Sequence, residues 1–348
     1  MTTSPTPPGP SASTADSTPP TTASKPRAGV DPAGNGKPRG SGPIARLRCV
    51  ARENEFLYLF LRSPLALLAT TIAVLGIGAA ALAPWLAPFD PYDIANVDIL
   101  DSLLPPAWTG EGDARFAIGT DDQGRDLLSA ILHGTRLSLL VGLSSIAFAS
   151  VLGVSLGLLA GYLGGWVDTV VMRIADVQLA LPAILTALLV DGIARGILPR
   201  ETHDELMLVV LTVAIGLSLW VNFARTARAS TFVERQKEYV QAAEVMGVHP
   251  VRILLSHILP NILGPLLVIL TIDLAVAVLL EATLSFLGVG LPQTEPSLGV
   301  LIANGYEYML SGRYWISVFP GLALLLTIVS INLVGDRLRD VLNPRLSK

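Results

Sequence analysis

Six apolar blocks decide what this chain can fold into. They run over about residues 64–84, 137–160, 167–190, 206–224, 262–287 and 316–334, and each approaches the roughly 20 residues that a helix needs to cross a bilayer. In lipid, every backbone N–H and C=O must find its partner inside the segment, so blocks of this length become helices. A mean hydropathy of +0.57, with 51% hydrophobic and 15% charged residues in 348, excludes an ordinary soluble globule. The expected fold class is therefore an all-α integral membrane protein with six transmembrane helices. An even number puts both termini on one side.

The flanking charges predict which side that is. Arg46, Arg48, Arg52 and Arg62 precede the first block, Arg225, Arg228, Arg235, Lys237 and Arg252 join the fourth to the fifth, and Arg337, Arg339, Arg345 and Lys348 follow the last. All three groups fall on one side of a six-helix count, which the excess of basic residues marks as cytoplasmic. Between the first two blocks lies an acidic stretch with Asp90, Asp93, Asp98, Asp101, Glu111, Asp113, Asp121, Asp122 and Asp126, expected outside. The single Cys49 precludes an internal disulfide.

The start of the chain reads differently. Up to about Gly42 it is Pro, Thr, Ser, Gly and Ala with no aromatic residue, a composition that buries too little surface to offset chain entropy. No apolar core lies near Met1, so a signal peptide is not expected. The expected divisions are a disordered cytoplasmic tail over 1–45, an N-terminal segment and first transmembrane helix over 46–84, an extracytoplasmic loop over 85–136, and a five-helix core over 137–348. Within that core a cytoplasmic loop occupies 234–260.

This loop is the most informative stretch. Over Glu234–Pro265 a polar, small-residue-rich run interrupts two apolar blocks. Tyr239, Ala242, Ala243 and Met246 recur at i, i+3, i+4 and i+7, opposite Glu234, Lys237, Glu238, Gln241 and Glu244, so a short amphipathic helix is predicted. Gly247 should stop it, and His249–Pro250 should turn the chain into the next helix with proline at its first position. An alanine-lined face suits close approach to another surface, though an interfacial helix lying on lipid headgroups shares the pattern.

Glu238, Tyr239 and the run Gln241-Ala242-Ala243, then Gly247, then Ile258-Leu259-Pro260, resemble the EAA loop of bacterial ABC-importer permeases. Two positions depart from that pattern: Gln241 replaces a glutamate, and His257 stands where isoleucine is commoner. Further matches follow in order. Gly119, Thr120, Asp121, Gln123, Gly124, Arg125 and Asp126 resemble the stretch before the second helix in the dipeptide, oligopeptide and nickel branch, and so do Gly161–Pro182, Leu279–Gly290 and the closing Phe319–Ala323 and Asn332–Asp340. The chain is thus similar to the C-type permease subunit of that branch, over about Pro64 to its end.

That resemblance implies a type I importer permease fold in the bacterial plasma membrane. It implies a second homologous permease, ATP-hydrolysing subunits that hold the ATP and Mg, and an external solute-binding protein that delivers short peptides. The EAA-like residues would dock on the ATPase, and the 119–126 stretch would form a docking surface for the binding protein. Nickel or another small solute is the alternative cargo.

Several residues matter apart from any family. Gly153, Gly157 and Gly161 repeat every four residues, which lets helix backbones approach closely in lipid. Arg173 and Asp176 sit three apart and could neutralise one another, and Pro182 should kink the third helix. A charge at mid-bilayer costs about 2.5–3.5 kcal/mol on insertion scales, so Asp273 and Glu281 should face protein or water. Asp273 and the weaker Asn222 are candidates for bordering the translocation path; for Glu281 structural pairing and substrate contact fit equally.

Catalysis finds no support. The chain has no G-x-x-x-x-G-K-[ST] phosphate loop and no G-x-S-x-G elbow, and His133, His203, His249 and His257 lack metal-ligand spacing. No catalytic residue, resident metal or cofactor is expected, and no nucleic-acid partner. An ion-coupled transporter using Asp273 and a non-transporting scaffold are the rival readings.

Overall fold

The computed structural model describes residues 64–91, 98–199, 202, 206–291 and 295–342. The expected tail over 1–45 and the segment up to 63 lie outside them. Among the described residues the architecture is helical: α1 Pro64–Ala81, α2 Leu127–Leu163, α3 Gly165–Leu179, α4 Ala183–Ile197, α5 Met207–Arg235, α6 Glu238–Val245, α7 Leu259–Phe286, α8 Leu298–Tyr308 and α9 Trp315–Leu342. Four spans are long and apolar enough to cross a membrane unaided, centred on α2, α5, α7 and α9. The bent pair α3 and α4 makes a fifth, and α1 adds 18 apolar residues at the edge of the described region.

Two boundaries differ from the sequence reading. α2 begins at Leu127, so residues 127–136, expected in the loop, are helix. The cause is Asp126, whose carboxylate accepts from the Ser129 amide at 2.8 Å and so caps the first turn. α5 runs on to Arg235 rather than stopping near Ala224.

The bundle centres on α2 packed along α5, its most extensive helix pair. The glycine repeat explains why. A Cβ on Gly153 would lie 2.3 Å from Trp220 O, one on Gly157 2.4 Å from Ala224 O, and one on Gly161 2.7 Å from Arg228 O. Only hydrogen side chains let the two backbones come this close, and Phe223, Ala224 and Ala227 fill the seam.

The third span breaks more sharply than a kink. α3 and α4 meet at 97°, with Pro182 at the N-cap of α4. Broken helices at membrane depth leave polar backbone that neighbours must satisfy; here α5 supplies one such bond, and a side chain of α3 braces the break against it. Gln178 donates to Leu217 O and accepts from Trp220 Nε1 at 2.7 Å, while the Ser218 hydroxyl reaches Ala183 O at 3.1 Å. Asp176 does not pair with Arg173 as expected; it meets Arg225 on α5 at 2.5 Å, and Asp168 pairs with Arg228. The reason is reach: α5 presents both arginines to the same face of α3.

The bundle has two distinct ends. At one, residues 98–126 fold over α8 and the start of α9, where Leu127, Trp315 and Ile316 form a small apolar core. This is the loop end. At the other, α5 turns through α6 into α7, the corner end.

Candidate functional site

The corner is built by local chemistry. α6 ends with paired bonds, Val248 N to Ala243 O at 3.1 Å and Gly247 N to Glu244 O at 3.0 Å, closed by Gly247 at φ +75°. A left-handed residue at this position suits glycine. His249 then caps the next turn, its Nδ1 accepting from Val251 N at 3.4 Å, and Pro250 takes the first helical position. Ile253–Ile258 forms a wide π turn, with Leu259 N bonded to Leu254 O, immediately before Pro260. Ile258 is fully buried, Leu259 half-buried and Pro260 exposed.

The buried face of α6 is Val240 and Ala243. Of the expected apolar stripe only Ala243 is buried; Tyr239, Ala242 and Met246 are exposed, as are Glu238 and Gln241. Polar anchors set the rotation. Tyr239 Oη donates to Glu234 Oε1 at 2.5 Å and receives from Asn261 Nδ2 at 3.1 Å, while Glu244 Oε1 accepts from Tyr162 Oη at 3.0 Å. With those side chains directed at the bundle ends, Val240 and Ala243 turn inward. Val245, at 88% exposure, and Met246, at 74%, point away. Burial, followed by the Glu234 carboxylate, pushes the Tyr239 hydroxyl up to about 12.

The loop-end residues are arranged otherwise than expected of a docking surface. Thr120, Asp121, Arg125 and Asp126 are buried, and so are Gly119 and Gly124; Gln123 is half-exposed. Asp121 is the hub of this frame: its carboxylate accepts from Gln123 N and Arg125 N, both at 2.9 Å, and from Arg125 Nε at 2.6 Å. Thr120 Oγ1 bonds Asp101 O at 2.6 Å. Gly119 and Gly124 hold positive φ, and a Cβ on Gly124 would strike Asp98 O at 2.2 Å. These side chains hold the loop together because buried polar groups require such partners; its outer surface is made by other residues.

Within the membrane span, Asn222 on α5 faces Asp273 on α7, and both are drawn into the bundle. Glu281 is completely buried; Ser285 Oγ donates to it at 2.9 Å, and the Ser138 and Ser297 hydroxyls face the same carboxyl. The Ser285 bond engages one carboxylate oxygen of Glu281, and the other is buried without a hydrogen-bond partner among the described residues. A cavity of about 780 Å³ opens at the loop end between α4, α7 and α8, with Arg195, Asn304 and Glu307 on its wall. Sequence reasoning passed over these three, as it did Gln178, because nothing in a linear pattern brings α4 beside α8 or sets Gln178 of α3 against α5.

Broken helices, a glycine-packed seam and an exposed corner helix between two spans define a polytopic helical membrane protein. Residues 153–348 match the family described as binding-protein-dependent transport system inner membrane component, and 54–106 match the N-terminal transmembrane domain of oligopeptide transport permease C. The chain is 38% identical to the di/tripeptide transport system permease protein DppC of Pseudomonas aeruginosa, over 84% of this chain and 92% of that one. It is 35% identical to the glutathione transport system permease protein GsiD of Pectobacterium atrosepticum, over 87% and 95%. An inward-facing crystal form of the MetNI methionine ABC transporter is similar in fold, with a TM-score of 0.50 at 21% identity over 62% of this chain and 98% of that one. The chain belongs to the binding-protein-dependent ABC importer permeases, multi-pass subunits of the inner membrane.

Proposed function

We propose that this chain is the C-type permease of an ATP-driven importer of short peptides and that α6 is its docking helix for an ATP-hydrolysing subunit. The observation that carries the reading is the two-sided character of α6: Val240 and Ala243 are buried, while Ala242, Val245 and Met246 stand exposed next to Tyr239 and Gly247. Apolar side chains held outward on a short helix suit a groove on another protein. Glu238, Gln241, Ile258, Leu259 and Pro260 complete the element, the last three by fixing where α7 begins.

In this reading the corner end and both termini face the cytoplasm, in keeping with the basic residues there, and the acidic loop end faces outward. An external solute-binding protein delivers the peptide to the loop end, a second homologous permease completes the path, and ATP with Mg stays in the ATPase subunits. Relatives named for di/tripeptides and glutathione support a short peptide as cargo. Charges of both signs on the loop-end cavity suit a molecule with an ammonium and a carboxylate. Energy enters when nucleotide closes the ATPase pair and α6 moves with it, rocking the permeases between access to the two sides.

The test compares wild type with Gly247→Val for retention of the ATPase during purification from membranes holding equal amounts of both chains. A Cβ there meets nothing within 4 Å, so within this chain the variant acts through backbone strain at φ +75°. Wild type should retain the ATPase and the variant should lose it. Failure of wild type to retain it under conditions that preserve membrane complexes would remove the reading.

A further inference from the structure

α6 is not merely appended to the bundle; it is tied at both ends to three different helices. At its C-terminal end, Tyr162 at the foot of α2 donates to Glu244 Oε1 at 3.0 Å. Arg235, the last residue of α5, closes that contact: its Nη1 donates to Tyr162 O at 2.6 Å, its guanidinium lies 5.2 Å from the Tyr162 ring centre, and its Nε is 4.0 Å from Glu244 Oε1. At the N-terminal end, buried Glu234 of α5 accepts from Lys237 Nζ at 2.7 Å and from Tyr239 Oη at 2.5 Å. Asn261 of α7 completes that side, donating to Tyr239 Oη and, at 2.6 Å, to His257 O.

We infer that the Tyr162–Glu244 contact is the tie through which movement of α6 is passed to α2, making Tyr162 a positioning residue for transport. The inference rests on α6 being the docking helix and adds the route by which its motion leaves it.

Three features support this route. Tyr162 is 7% exposed although it lies one residue from the end of α2, so its ring is fixed by packing before its hydroxyl is spent on Glu244. α2 is continuous from Leu127 to Leu163, with no interior proline, and runs from the corner to the loop end. Its glycine seam holds it against α5 over the corner-end part of that length, from Gly153 to Gly161. A displacement at the foot of α2 therefore reaches the loop end as a rigid-body shift. The α6–α7 side offers no such rod, because the π turn over Ile253–Ile258 and Pro265 within α7 interrupt the helix.

The experiment uses the assembled permease–ATPase complex and asks whether nucleotide is felt at the far end. Hydrogen exchange of residues 119–135 is compared with and without a non-hydrolysable ATP analogue in wild type, Tyr162→Phe and Glu244→Gln, alongside ATP hydrolysis and melting temperature. Phenylalanine keeps the packed ring and the face under Arg235 and removes only the hydroxyl. Glutamine keeps an acceptor for that hydroxyl.

In wild type the analogue should change exchange at 119–135. Tyr162→Phe should shrink that change about fivefold, the factor that one lost hydrogen bond represents, while the ATPase stays bound, hydrolysis stays within about twofold and the melting temperature holds. Glu244→Gln should behave as wild type. A full nucleotide response in Tyr162→Phe overturns the inference, and so does a response lost equally in Glu244→Gln, which would move the effect to the charge on Glu244. Absence of bound ATPase in wild type fails the underlying reading, and this inference with it; retention with a full response in the phenylalanine variant fails the inference alone.

Discussion

Asn222 on α5 donates through Nδ2 to both carboxylate oxygens of Asp273 on α7, at 3.1 Å each, inside the span of the bundle. Asp273 is 4% exposed, and among the described residues its side-chain hydrogen bonds come from this amide across the α5–α7 contact. Removing one member of a buried pair strands the other, whereas replacing both with apolar groups removes the demand. Asn222→Leu should therefore destabilise the folded protein by about 2 kcal/mol, and Asn222→Leu with Asp273→Leu by less than Asn222→Leu alone. Thermal unfolding of the singles and the double in detergent tests this; additive losses would refute the coupling.

The glycine seam gives a sharper contrast. Gly153→Val would drive a Cβ to 2.3 Å from Trp220 O and 2.7 Å from Phe223 Cβ, and neither atom is the end of a flexible side chain. Overpacking of that kind costs about 1–3 kcal/mol or more, and α2 should separate from α5. Gly192→Ala on α4 meets nothing within 4 Å and should be neutral or stabilising by about 0.5–1 kcal/mol through helix propensity. Melting temperatures that fall equally for both would contradict the packing account.

At the loop end, Asp121 and Arg125 are a buried ion pair with side chains 1% and 2% exposed. Arg125→Met leaves the Asp121 carboxylate without its charged partner, and a loss of about 3–5 kcal/mol is expected. Protease cutting within residues 98–126 should rise in the variant while α2 and α5 stay folded. An unchanged cleavage pattern would show that the loop does not depend on the pair.

Asp122 provides a pH test. Burial, then the neighbouring Asp121 carboxylate, raises its pKa above the ordinary 3.8. The folded state thus holds this proton more tightly than the unfolded state, so stability is lost as pH rises from the ordinary carboxylate range through the raised value. Asp122→Asn removes that loss. The variant should melt higher than wild type at pH 7, and the gap should close as pH drops below about 4. A gap that is independent of pH would assign the effect to something other than ionisation.

The all-helical membrane class was legible because lipid demands long apolar helices, and the corner was legible because Gly247, His249 and Pro250 act on their own backbone. The break at Pro182 was visible as a kink, but its 97° angle goes with contacts across helices: Gln178 of α3 with Trp220 of α5, and Ser218 of α5 with Ala183 of α4. The start of α2 was missed although Asp126 three residues before Ser129 is a cap signal, since the acidic loop around it masked the boundary.

The sequence by itself determined the membrane class, the placing of the helices and the position of the exposed corner, all of which follow from hydrophobic length and local backbone chemistry. Only the tertiary structure decided which side chains meet: that Asp176 takes Arg225 and not Arg173, that Thr120, Asp121 and Arg125 turn into the loop and not out from it, and that α6 buries Val240 and Ala243 while Tyr239 and Glu244 tie it down. Spacing along one helix fixes a face only relative to its neighbours. The rotation that brings that face to a partner is set by contacts between residues tens of positions apart, and those exist only once the helices have packed.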